Sequence, residues 1–171
     1  MTPLDHALQY AQHGLKVFPV NWIDADQCSC DREDCGNAGK HPLTPSGCKD
    51  ASSDPAVIQQ WWTLWPKANV AIATGEASGI FVIDIDVADG KNGAASLAKL
   101  EAEIGPIPRD AVVRTGSGGW HIYLKLADLP IRNSASKIGE HIDVRGSGGY
   151  VVAPPSLHKS GNHYVWENAH V

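Results

Sequence analysis

Two carboxylates stand two residues apart in the run Ile80-Phe81-Val82-Ile83-Asp84-Ile85-Asp86-Val87, which is otherwise wholly apolar. A run this rich in Ile, Val and Phe is expected to be a strand covered on both faces. In a strand, residues i and i+2 leave the same face roughly 6.6 Å apart, at about 3.3 Å rise per residue. Asp84 and Asp86 would then project side by side among groups that exclude water. Like charges so placed repel and are poorly solvated unless a cation stands between them. Hard carboxylate oxygens suit Mg²⁺ or Mn²⁺. The competing reading is a strand end where both aspartates reach water, with Asp89-Gly90 as the turn beyond. A third carboxylate, Asp143, lies in a second apolar segment and would complete the ligands of a two-metal centre. His121 opens the strand-like segment His121-Ile122-Tyr123-Leu124, where it could contact a triphosphate or carry a proton. Otherwise it is a structural histidine.

A second group of chemistry-bearing residues lies upstream. Cys28, Cys30, Cys35 and His41 fall within fourteen residues of a polar loop, spaced C-x-C-x4-C-x5-H. Thiolates and imidazole at such spacing can close tetrahedrally around Zn²⁺, which would also hold together a loop with almost no hydrophobic residue. The bland alternative is a set of reduced surface thiols. Cys48 reads as a small buried filler, with the alternative that it replaces His41 as a ligand.

Two glycine-rich passages follow: Arg114-Thr115-Gly116-Ser117-Gly118-Gly119-Trp120 and Arg145-Gly146-Ser147-Gly148-Gly149-Tyr150. Both read as hairpin turns between short strands. Glycines in such turns bring backbone N–H groups together and can cradle phosphate, with Arg114 and Arg145 as forked partners. By themselves they are only turn residues.

The elements that must position these groups are legible in the periodicity. Thr2-Pro3 caps a helix carrying Leu4, Ala7, Leu8 and Ala11, with Gly14 as the stop. Leu15 to Val20 reads as a strand with Lys16 facing out. Asp54-Pro55 caps a second helix whose Ile58, Trp61, Trp62 and Trp65 form a core face rather than a base-stacking one. Val70 to Ala73 is a strand, and Asn92 to Ile104 a helix closed by Gly105-Pro106. The fold class expected is α/β in the α+β sense: a mainly antiparallel mixed sheet flanked by helices, with a zinc-binding loop at about 28–41 inserted near the N-terminus.

The chain has 171 residues, 43% hydrophobic and 19% charged, which fits one globular domain. It has no run of 18 apolar residues, so no membrane partner is expected. Its start lacks the pattern of a signal peptide, so a cytoplasmic setting with reduced or metal-bound cysteines is expected. A net charge of −5 counts against a large nucleic-acid footprint but not against a local basic groove.

Taken together, these residues resemble the primase-polymerase domain of the archaeo-eukaryotic primase superfamily. More closely, they resemble the bifunctional DNA primase/polymerase domain at the N-terminus of phage, prophage and plasmid replication proteins. The family's Asp-x-Asp strand matches Asp84 and Asp86, its strand-opening histidine matches His121, and its third-motif carboxylate matches Asp143. Arg145, Gly148-Gly149-Tyr150 and Pro154-Pro155-Ser156 also look typical. In one place the chain departs, with Gly119 where the family often has serine.

The resemblance implies an RRM-like catalytic core and template-directed nucleotidyl transfer from dNTPs or NTPs, on a primer and single-stranded DNA template. Asp84, Asp86 and Asp143 would hold two Mg²⁺ or Mn²⁺ ions. His121, Arg114, Arg145, Ser117 and Gly118 would hold the phosphates, with Lys40, Ser156 and His158 as further contributors. One structural Zn²⁺ would sit on Cys28, Cys30, Cys35 and His41. The chain would be the N-terminal part of a longer replication protein with a helicase. Two rivals remain: a metal-dependent phosphohydrolase acting on nucleotides or nucleic acid, and a non-catalytic zinc-dependent DNA-binding module.

Overall fold

The first helix is closed off by the residues that open the chain. Asp5 N–H donates to Thr2 Oγ1 at 3.2 Å and Thr2 N–H donates to Asp5 Oδ2 at 2.7 Å, a reciprocal capping box with Pro3 at the first helical position. The computed structural model describes residues 1–128 and 130–169. In order, the chain forms α1 (Pro3–Gln12), β1 (Val17–Val20), β2 (Ile23–Asp24), β3 (Gln27–Cys28), α2 (Pro55–Leu64), β4 (Asn69–Ala73) and β5 (Ile80–Ile85). It continues through α3 (Gly93–Ile104), β6 (Ala111–Arg114), β7 (Trp120–Lys125), β8 (Ser134–Ala135), β9 (Ile142–Arg145), β10 (Tyr150–Ala153) and β11 (Val165–Ala169). None of the described helices is long and apolar enough to cross a membrane.

The architecture is mixed α+β with antiparallel strand pairing. It is built on two main sheets rather than the single sheet that the sequence pattern suggested. Three strands pair in the order β1-β4-β10, six in the order β11-β6-β7-β5-β9-β8, and β2-β3 forms a small ribbon. All five residues of β4 are buried. α1 and α2 pack on its sheet, and Phe18, Ile72 and Val151 join Val82, Val113 and Tyr123 of the larger sheet in one core. α2 supplies Ile58 and Trp62 to that core, with Trp61 and Trp65 packed against it.

β5 divides its side chains as an alternating strand must. Ile83 and Ile85 turn to α3 and form a second core with Leu97, Ile122 and Ile142, while Val82 faces the first. Each such fully buried aliphatic side chain contributes about 1.5–3 kcal/mol. Strand β5 is thereby fixed in register from both sides. Asp84, between Ile83 and Ile85, shares the face of Val82.

The β6–β7 hairpin forms as expected, its turn closed by Thr115 N–H to Gly119 O at 3.0 Å, with Gly118 at φ +91°. The second glycine-rich passage does something else. Its flanking strands belong to different sheets, β9 beside β5 and β10 beside β4, so residues 146–149 form a strap between sheets and not a hairpin. Tertiary bonds decide this. Thr74 Oγ1 donates to Gly146 O at 2.7 Å, Thr74 N–H to Gly149 O at 2.9 Å, and Ser147 N–H to Ile131 O at 2.7 Å. The strap therefore runs against the β4–β5 connection, and Gly75, at φ +77°, packs directly on the Ser147 Cα.

A Cβ at Gly75 would collide with that backbone in a conformation that L-residues disfavour. Gly75→Ala is expected to cost about 3 kcal/mol. Urea denaturation of the purified variant measures this, and a loss below about 0.5 kcal/mol would show that the two crossings are not locked together.

Candidate active site

Strand register brings the acidic residues together. Asp84 of β5 stands opposite His121 of β7 on one side and Asp143 of β9 on the other, so the three form a row across adjacent strands. Directly paired residues share a sheet face. Arg145, two residues after Asp143, lies on that face too, opposite Val82. Asp86 follows the end of β5, its N–H bonded to His141 O at 3.0 Å.

The carboxylates are neutralised by cations of the chain. Arg145 Nη2 bridges two of them, 3.3 Å from Asp84 Oδ2 and 2.9 Å from Asp143 Oδ2. His121 Nε2 lies 3.4 Å from Asp84 Oδ1, and Lys91 Nζ lies 2.9 Å from Asp86 Oδ2. Asp84 is the most enclosed of the acids, its side chain 17% exposed against 39% for Asp86. Burial pushes the Asp84 carboxyl up, but His121 and Arg145 outweigh it and hold it at about 2. His121 is itself buried, and its Nδ1 has no hydrogen-bond partner.

Asp84 and His121 of the row, but not Asp143, form part of the wall of a polar cleft of about 430 Å³ between the two sheets, within the range of small-molecule sites. Asp84, Asp86, His121 and Arg145 line one side; Tyr150 and the strap glycines Gly148 and Gly149 line another. Asn37 and Lys40 reach in from the cysteine loop. Burial lowers the Lys40 ammonium, Asp84 and Asp86 partly restoring it. Among the described residues, Lys40 is the cleft lysine that makes no ion pair.

The cysteine loop converges as its spacing predicts. The β2–β3 ribbon turns through Ala25 and Asp26, both at positive φ, and presents Cys28. Ligand atoms of Cys28, Cys30, Cys35 and His41 all lie within 4.8 Å of one another, and Cys28 Sγ is 3.3 Å from His41 Nε2. Tetrahedral Zn²⁺ needs separations of about 3.5–3.8 Å between such atoms, so small rotations suffice and the four residues could bind zinc. The other ring nitrogen of His41 faces Asn21, whose Nδ2 stands 3.0 Å away. Cys48 lies apart, its thiol donating to Gly148 O at 3.3 Å, so His41 and not Cys48 completes the group.

A family model described as bifunctional DNA primase/polymerase, N-terminal (Prim-Pol), matches residues 7–171. The chain belongs to the Prim-Pol family. No curated protein matches it.

Within this Prim-Pol chain, several residues expected at the site stand elsewhere. Arg114 leaves the sheet on the α3 face, opposite to Asp84, because it pairs with Trp120 one step out of phase with the acidic row. Its guanidinium stacks 4.4 Å from the Trp120 ring and lies 3.9 Å from Glu167. Ser156 is buried behind the cleft, accepting from Val70 N–H and donating to Val70 O. His158 is buried behind Tyr164, its Nδ1 against Ser160; burial first, then Lys40 and Lys159, lowers it to about 4, so it is neutral at pH 7. Ser117 and Gly118 occupy the β6–β7 turn outside the cleft lining, with Ser117 Oγ 3.0 Å from Thr115 Oγ1. Gly119 packs on the Ile85 carbonyl, which leaves no room for a side chain such as serine at this position.

Other residues at or beside the cleft gave no warning in the sequence. Asn133 lines the cleft and accepts from Gly146 N–H at 2.8 Å, Tyr164 lines it from the β10–β11 connection, and Lys91, outside the lining, pairs with Asp86. None belongs to a local motif. Only Lys91, five residues after Asp86, was within reach of a charge-pairing argument.

In the metal-free protein, a folded-state value of about 2 against an ordinary 3.8 makes the Asp84 contribution fully present above about pH 4 and lost as pH falls towards 2. The difference corresponds to roughly 2 kcal/mol. The gap in urea stability between the native chain and Asp84→Asn is therefore expected to be widest above pH 4 and to close by pH 2. A gap that ignores pH would remove the ionised, paired Asp84.

Proposed function

We infer nucleotidyl transfer of the primase/polymerase type, with DNA and nucleotides as substrates, a reading that membership of the Prim-Pol family supports. We propose that this chain carries out template-directed extension, as a DNA polymerase, a primase or both, using dNTPs or NTPs on single-stranded DNA. The observation that carries the reading is that His121, Asp84 and Asp86 line a cleft that also holds Lys40, with Asp143 paired beside Asp84. We further propose that the chain is the N-terminal catalytic part of a longer replication protein.

The acidic row fits a pair of hard divalent ions. Asp84, Asp86 and Asp143 offer carboxylate oxygens, and these already balance the charge of two cations, Arg145 and Lys91. Asp84, Asp86 and Asp143 would hold Mg²⁺ or Mn²⁺, which when bound supplies activation of a 3′-hydroxyl and neutralisation of the departing pyrophosphate. The chain's own residues supply the rest. His121 and Arg145 keep Asp84 ionised inside a largely apolar sheet. Arg145 spends only Nη2 on the carboxylates, so its other N–H groups are free for a phosphate oxygen. Lys40 offers a second positive charge from across the cleft. Tyr150 and Tyr164 wall off water and give planar faces to a sugar or base.

With a labelled primer on a single-stranded template, Mn²⁺ and dNTPs, the chain is expected to extend the primer. Asp84→Asn should lose at least about 10³-fold in rate with an unchanged circular dichroism spectrum. Phosphate release without extension would move the assignment to the hydrolase. DNA binding indifferent to nucleotide and to Asp86→Asn would move it to the binding module.

A further inference from the structure

The cysteine loop and the acidic cleft share a wall. Asn37 and Lys40 line the cleft, and they fall between Cys35 and His41, two of the four residues that could hold zinc. The backbone on both sides of Lys40 is tied to that knot. Gly39 N–H donates to Cys28 Sγ at 3.4 Å, Lys40 N–H donates to Asn37 O at 3.0 Å, and His41 O accepts from Asn21 N–H at 2.9 Å.

Lys40 is also gripped from the far side. Tyr150 of β10 donates its hydroxyl to Lys40 O at 3.1 Å, while Asn69 of β4 donates to Gly39 O at 2.9 Å. A lysine on a four-carbon stem normally wanders, since fixing its rotamers costs up to about 2 kcal/mol. Here the main chain is held from the knot and from the three-stranded sheet, so the ammonium starts from a fixed root. The loop has almost no apolar side chain to keep that root in place, so its hold depends on the knot together with the bonds from Tyr150 and Asn69.

We propose that zinc in the Cys28–Cys30–Cys35–His41 knot acts as a positioning element for nucleotide binding, by fixing Lys40 over the acidic row where a triphosphate is seated. This rests on the nucleotidyl-transfer reading above and adds a coupling to it: the loss of zinc should weaken nucleotide affinity through Lys40 alone.

The test is a double-mutant cycle on the whole chain, read by dATP affinity in Mn²⁺ without primer, beside zinc content and thermal melting. The native chain is expected to carry one zinc and to bind dATP. Lys40→Ala should weaken binding about tenfold, the worth of one charge-assisted contact. Cys35→Ser should lose the zinc and about the same tenfold, yet add nothing in the Lys40→Ala background. Should Cys35→Ser fail to fold, a zinc-selective chelator applied to the folded native and Lys40→Ala chains asks the same question, with the same tenfold loss expected only in the native chain. Tyr150→Phe, which removes the hydroxyl that grips Lys40, checks the root by itself. It should weaken dATP about threefold in the native background and not at all beside Lys40→Ala. A chain without zinc, an unaltered dATP affinity in Cys35→Ser, or additive losses would each overturn the coupling while leaving the nucleotide site standing. A native chain that binds no dATP would instead bring down the nucleotide site and the coupling together.

Discussion

Everything in this molecule is arranged around one ionised carboxylate in a poor place for charge. Asp84 lies mid-strand between Ile83 and Ile85, with β7 and β9 on either side. An isolated carboxylate so placed would take up a proton, because desolvation disfavours the charged form. The flanking strands prevent that by bringing His121 and Arg145 against it, and Arg145 reaches Asp143 as well. The cost of burying charge is offset only while the register of three strands holds. That register is held in turn by the isoleucines that β5 turns to α3 and by the core behind Val82. Packing and chemistry are thus the same constraint seen from two faces of one sheet.

Much of this was readable from residue order. The alternation of Ile80 to Val87 placed Asp84 and Asp86 on one side of a strand, and both do line one cleft. The C-x-C-x4-C-x5-H spacing identified the four residues whose ligand atoms gather. Helix caps at Thr2 and Asp54 were local signals, and both are formed. What the order of residues left out is what depends on strand pairing. Arg114 sits beside a glycine turn much as Arg145 does, yet its position one step out of phase sends it to the other face. Ser156 and His158 follow Pro154-Pro155 closely in sequence, but Ser156 Oγ is taken by Val70 and His158 Nδ1 by Ser160.

The two glycine-rich passages make the same point. Locally they are nearly the same peptide, and turn propensity alone makes both hairpins. One is a hairpin. The other is pulled out of that role because β4 needs a partner on each side and finds it in β10, with Val151 and Val152 buried. Sequence-local chemistry sets what a glycine run can do, and the competition among sheets selects which of those things it does.

The strap between β9 and β10 bears on how the cleft can move. It crosses from one wall to the other beside the β4–β5 connection, and the two crossings are bonded together through Thr74. Along that side the walls are a single doubly stitched seam, like the spine of a book. The cysteine loop that brings in Asn37 and Lys40 is bonded instead to the three-stranded wall, through Tyr150 to Lys40 O and Asn69 to Gly39 O, so it travels with that wall. A substrate then meets its firmest limits beside the seam, at Arg145 and Asn133.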